Sequence, residues 1–128
     1  MPAALAVLTL LSLSLSGQEL SKHPLFRAAD QFNSSCPRMV DRDTRLDSAV
    51  FIPANIFRYD YTLVNYSAGQ VAGEALAGDL RPRIIANVSR NPEMKVQRDQ
   101  RVTMVFHYRD RNGDFITEIS LAPGDYLH

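Results

Sequence analysis

The sequence predicts an α+β fold: an antiparallel sheet of about four strands with two helices packed on one face, in the order α-β-β-α-β-β. Three observations carry this. Apolar residues recur at helical spacing in two stretches, near 25–36 and 69–90. They alternate with polar residues at period two over 57–63, 102–108 and 115–121. The pair Asn112-Gly113 separates the last two runs, the sequence signal of a hairpin.

The first helix follows from Leu25, Ala28, Ala29, Phe32 and Cys36, which fall on one apolar stripe. Pro24 suits its first turn and Pro37 its end. A β-prone run, "SAVFI", comes next, then a turn at "PAN" and a second strand, "IFRYDYTLVNY". In that strand Phe57, Tyr59, Tyr61 and Leu63 alternate with Arg58, Asp60 and Thr62. The second helix places Leu76, Leu80, Ile84 and Val88 four residues apart. Gly73, Gly78 and Pro82 interrupt it, and a kink near Pro82 or two short helices is expected. In the closing hairpin Val102, Met104, Phe106 and Tyr108 share one face, as do Phe115, Thr117, Ile119 and Leu121. Helices and antiparallel strands in segregated layers make the α+β class.

The first sixteen residues, "MPAALAVLTLLSLSLS", carry no charge and are apolar from Ala3 to Leu15. That run is too short for a bilayer span, which takes about 20 residues. It suits the core of a signal peptide, with Ser14 and Ser16 as the small residues before a cleavage after Ser16. No Lys or Arg precedes it, a departure from the usual pattern. The expected division is a signal peptide at 1–16 and one α+β domain at 17–128, exported to the periplasm or secreted, with no stable membrane anchor. Cys36 is the single cysteine and cannot form an internal bridge; on the apolar stripe it reads as a small buried hydrophobe.

Net charge is zero, which removes any whole-molecule attraction to nucleic acid. Twelve of the fourteen basic residues are Arg, and residues 81–111 are locally basic. Solvated faces account for that excess as well as an acidic partner does.

The stretch "VDRDTRLDSAVFIP" holds the densest charge pattern, with Asp41, Asp43 and Asp47 around Arg42, Thr44 and Arg45. Three carboxylates can hold a hard cation. Asp and Thr also lead chains through turns into strands, and the arginines offset the charge, so scaffold is the stronger reading. Asp110, Asn112 and Asp114 resemble the start of a calcium loop, but Gly113 stands fourth rather than sixth and Leu121 occupies the twelfth position. A hairpin turn is expected there instead. His23, His107 and His128 show no metal-ligand spacing, and no nucleophile elbow, phosphate loop or Cys-x-x-Cys is present. The sequence therefore nominates no catalytic residue, metal ligand or cofactor.

"CPRMVDRDTRLDSAV", "FRYDYTLVNYS", "RIIANVSRNPEMK" and "VFHYRDRNGDFITEISLAPGDY" together resemble a family of small uncharacterised bacterial exported proteins. Its shared motif falls here on Pro37, Val40, Asp41, Thr44, Leu46 and Asp47. The resemblance covers about residues 19–126. It implies export and an α+β fold, and brings no activity, cofactor or catalytic residue. Members often carry a Cys near the end of the second helix and another near the C-terminus; this chain has Ser89 and Asp125-Tyr126 there.

The function class left by this reading is a non-catalytic binding or accessory module that contacts another envelope or secreted protein. The expected contact surface is a sheet face bearing Arg and Tyr, with Asp41, Asp43, Thr44, Arg45, Asp47, Arg58, Tyr59 and Tyr61 as its residues. The alternative is a small metal-dependent or hydrolase-like enzyme built on Asp41, Asp43 and Asp47.

Overall fold

The computed structural model describes residues 23–127, so the expected signal peptide lies outside the described residues. Helix α1 (Pro24–Asn33) leads into strands β1 (Arg38–Met39), β2 (Thr44–Ile52) and β3 (Ile56–Leu63). A long helix α2 (Gly73–Arg90) and a short α3 (Lys95–Asp99) follow, then β4 (Thr103–Arg109), β5 (Phe115–Leu121) and α4 (Pro123–Tyr126). The five strands form one sheet in the order β1-β2-β3-β4-β5.

The α+β class holds, but the sheet is mixed and five-stranded rather than antiparallel and four-stranded, and four helices rather than two are present among the described residues. β3 and β4 run parallel, with Phe57 beside Met104 and Tyr59 beside Phe106. A parallel neighbour requires a long crossover, and α2 with α3 supplies it. β1, α3 and α4 have two, five and four residues, too few to show a period.

α1 starts at His23, whose Nδ1 accepts from the Leu25 N–H at 3.1 Å. Its buried stripe is Leu25, Ala28, Ala29 and Phe32. The helix ends at Asn33, short of Cys36, and the Asn33 carboxamide turns to β2. There it accepts from the Ala49 N–H and donates to the Ala49 carbonyl, both at 2.8 Å. Cys36 is half-buried, donates to the Phe32 carbonyl at 3.2 Å, and has its thiol pKa pushed up mainly by burial.

α2 runs unbroken through Pro82, where a break or kink is expected from sequence. Pro82 leaves the Gly78 carbonyl without an intrahelical donor. Packing outweighs that loss: Leu76 and Leu80 before the proline and Ile84 and Val88 after it join the same core. The start of α2 lies so close to β5 that a Cβ on Gly73 would sit 2.4 Å from the Ile116 carbonyl oxygen. Near its end, Ser89 donates to the Tyr126 carbonyl at 3.1 Å, joining the two positions at which the resembled family places its cysteines.

Strand alternation divides the sheet into two faces. Phe57, Tyr59, Met104, Phe106, Ile119 and Leu121 point to the face that α1 and α2 cover and are buried there. Arg58, Asp60, Thr62, His107 and Glu118 point to the other face. Two register shifts alter the simple alternation. One in β2 between Leu46 and Ser48 leaves Asp47 as the extra residue. The other lets Tyr108 face Thr117 and Arg109 face Phe115. Phe115 thus leaves the apolar set predicted for it, is 58% exposed, and lies with its ring 5.3 Å from that of His107.

The turn before β5 closes on Asp110. Its buried carboxylate accepts from the Ala68, Asn112 and Asp114 N–H groups at 2.7, 2.8 and 2.8 Å. Gly113 takes φ +88°, the left-handed conformation at which a side chain is strained. This is a hairpin cap, as expected, and not a cation loop.

Candidate functional site

The residues of the charged stretch fall into two groups on opposite sides of the sheet. Asp41 Oδ1 accepts from the N–H groups of Asp43 and Thr44 at 2.9 and 2.8 Å, forming the turn between β1 and β2. Asp43 Oδ1 accepts from Asn65 Nδ2 at 2.8 Å, and its carbonyl accepts from the Val64 N–H at 2.9 Å, which ties that turn to the end of β3. Asp47, the bulged residue, takes Arg45 Nε at 2.5 Å and the Thr62 hydroxyl at 2.5 Å on the open face. The three carboxylates do not converge, and no group of three metal-ligating side chains does so among the described residues.

The arginine and tyrosines of the expected surface are placed on different sides of the sheet. Arg58 and Tyr59 are adjacent in a strand and point to opposite faces. Arg58 reaches Asp60 at 3.2 Å on the open side. Tyr59 is fully buried, accepts from Gln97 Nε2 at 3.1 Å, and has its phenol pKa raised above all by burial. Tyr61 also faces the helices, its ring stacked on Tyr108 at 4.9 Å. Neither tyrosine belongs to the Arg-bearing face.

What the structure brings together instead is a groove of about 560 Å³ between the Asp41–Thr44 turn and α2. Asp41, Arg42, Asp43 and Thr44 form one wall. Ala75, Leu76, Asp79, Leu80 and Arg83 form the other, one face of α2. Tyr66 and Gln70, from the segment after β3, help close it. A second cavity of about 180 Å³ shares Asp41, Thr44 and Leu80 with the first and extends over Tyr61 and Tyr108. Volumes of a few hundred Å³ with apolar walls and a few polar groups are usual for ligand sites.

Sequence reasoning reached Asp41, Asp43 and Thr44 but missed the α2 wall. The signal was available in part: Asp79 and Arg83 stand one turn apart beside Leu76 and Leu80. Nothing in the spacing says that this face opposes the β1–β2 turn, since that depends on the crossover. The locally basic segment does not form one patch. Arg98 donates to the carbonyls of Val88 and Asn91, Arg81 reaches Ser120 and Asp125, and Lys95 pairs with Asp99.

Fold and groove together define a helix-on-sheet α+β domain with a mixed sheet, a cleft at the sheet's β1–β2 end and, among the described residues, helices on one face. The particular family follows from comparison. Residues 20–116 match the model of the domain of unknown function DUF8479, and the chain belongs to that family. Among curated proteins nothing matches it. A Pseudomonas aeruginosa crystal structure, described as that of a candidate secreted protein, superposes with a TM-score of 0.67, covering 84% of this chain and 93% of that one at 14% identity. At that identity the likeness is one of fold.

Proposed function

We propose that the chain is an exported, non-catalytic binding module whose site is the groove between the Asp41–Thr44 turn and α2, and that its partner is another envelope or secreted protein. The observation that carries the reading is the groove itself. It is the place where the charged motif meets a helix face that leaves Leu76 and Leu80 half-exposed. Its polar wall is braced by the Asp41 and Asp43 hydrogen bonds, so the cleft needs little ordering on binding. Export is supported by the charge-free apolar run at 3–15 and by the name of the Pseudomonas aeruginosa relative in fold. No helix among the described residues is long and apolar enough to cross a membrane.

The test compares the chain with Ala75→Trp, which fills the groove from an exposed helix position and leaves the core alone. Each is used to capture proteins from the exported fraction of the host. A stoichiometric partner retained by the parent chain and lost with Ala75→Trp supports the reading. A partner held equally by both places binding elsewhere and overturns it.

A further inference from the structure

The two cavities beside α2 are neighbours, and Asp41, Thr44 and Leu80 line both. Tyr61 and Tyr108, stacked with an interplanar angle of 12°, line the smaller chamber. Among the described residues neither hydroxyl has a hydrogen-bond partner, and neither oxygen is sealed from solvent. A phenol that lines a cavity and meets no protein acceptor is available to a ligand acceptor.

The opposite kind of group is present as well. Asp41 spends Oδ1 on the turn. Its second oxygen takes no bond from the described residues. Burial raises the pKa of both phenols, Asp41 adds to the effect at Tyr108, and Arg38 and Arg83 oppose it at Tyr61 and Tyr108 in turn. At neutral pH the tyrosines therefore remain donors. In the larger chamber three carboxylates, Asp41, Asp43 and Asp79, stand against Arg42 and Arg83. That near balance selects neither a strong anion nor a strong cation. Asp79 and Arg83 form no ion pair with each other or with other described residues, although they are one helical turn apart.

We propose that the groove takes an extended apolar segment of a partner polypeptide, with the hydroxyls of Tyr61 and Tyr108 donating to main-chain carbonyls and Asp41 accepting a main-chain N–H. This rests on the groove reading above and names the chemistry of its occupant. An extended chain presents a donor and an acceptor at every residue and repeats about every 3.3 Å. Leu63, Val71, Leu76 and Leu80 receive its side chains. An acyl chain would satisfy these apolar walls but would leave the phenols and Asp41 without partners along its length.

The experiment is an NMR titration of the ¹⁵N-labelled chain with three probes. The first is an acetylated and amidated pentapeptide of alanine, valine and leucine. The second is the same peptide with its central amide replaced by an ester, and the third is dodecanoate. The peptide is expected to shift the amides of Thr44, Leu63, Val71 and Leu80 saturably. The ester analogue is expected to bind more weakly, and Tyr61→Phe and Tyr108→Phe each to weaken the peptide roughly 2- to 10-fold. Phenylalanine keeps the ring stack, so the fold is expected to survive, and unshifted amides in β4 and β5 away from the site check that. Saturation by dodecanoate with a silent peptide leaves the groove as a site but overturns its polypeptide occupant. Peptide binding unchanged in both Tyr variants overturns the role of the phenols. Shifts that persist in Ala75→Trp overturn the groove itself.

Discussion

The two faces of the sheet use the same strands in opposite ways. On the covered face the rings of Phe57, Tyr59 and Phe106 pack under Phe32 in T-shaped, tilted and stacked pairs, with centroids 5.0 to 6.4 Å apart. On the open face Arg45 pairs with Asp47 and Arg58 with Asp60, and His107 Nδ1 lies 2.8 Å from Glu118 Oε2. The first face holds the fold by area removed from water. The second carries partly exposed ion pairs, which contribute little individually. Arg45 and Arg58 are thus each paired within the open face.

Phenylalanine occurs on both faces, so one residue type can measure the contrast. Phe57→Ala, in the core, is expected to lower stability by about 3–5 kcal/mol, read from the urea midpoint at constant m-value. Gly73→Ala comes next: the new methyl meets backbone rather than a yielding side chain, and a loss of about 1–3 kcal/mol is expected. Retention of the parent midpoint would mean that α2 can slide along β5.

A third effect depends on pH. Burial alone would raise the Asp110 pKa, but the N–H groups of Ala68, Asp114 and Asn112 outweigh it and hold the carboxyl below its ordinary 3.8. The ionised form is thus the one that the folded state favours. The resulting stability is present above the unfolded pKa and is lost as pH falls through the folded pKa. Asp110→Asn should be less stable than the parent at neutral pH, with the gap closing below about pH 4. A gap constant down to pH 2 would show that the charge is immaterial. The smallest change is expected from Phe115→Ala on the open face, within about 0.5 kcal/mol of the parent. A loss approaching that of Phe57→Ala would erase the distinction between the faces.

Much of the covered face was legible because period two survives in β3 and β4: Phe57, Tyr59 and Tyr61, and Met104, Phe106 and Tyr108, point as the alternation predicts. The Asn112-Gly113 hairpin was legible because Gly113 needs a positive φ. The failures have physical causes of a different kind. Pairing of β3 with β4 is a long-range choice that no local period encodes. The bulge beside Ile116 moved Phe115 across the sheet, and the β1–β2 turn holds Asp41 and Asp43 away from Asp47. Pro82 does not split α2 in two, and core contacts lie on both of its sides. The site was legible only as its turn, since the α2 wall arises from packing.

The Asn33 carboxamide has a consequence for how copies of this chain meet. With one N–H donor and one C=O acceptor on Ala49, it reproduces the pairing of a peptide group from a neighbouring strand. β1 covers β2 only beside Leu46 and Arg45, so the middle of β2 would otherwise offer a template for strand addition. Among the described residues that single side chain takes the place of a neighbouring strand at Ala49, and it occupies backbone groups that edge-to-edge pairing would need.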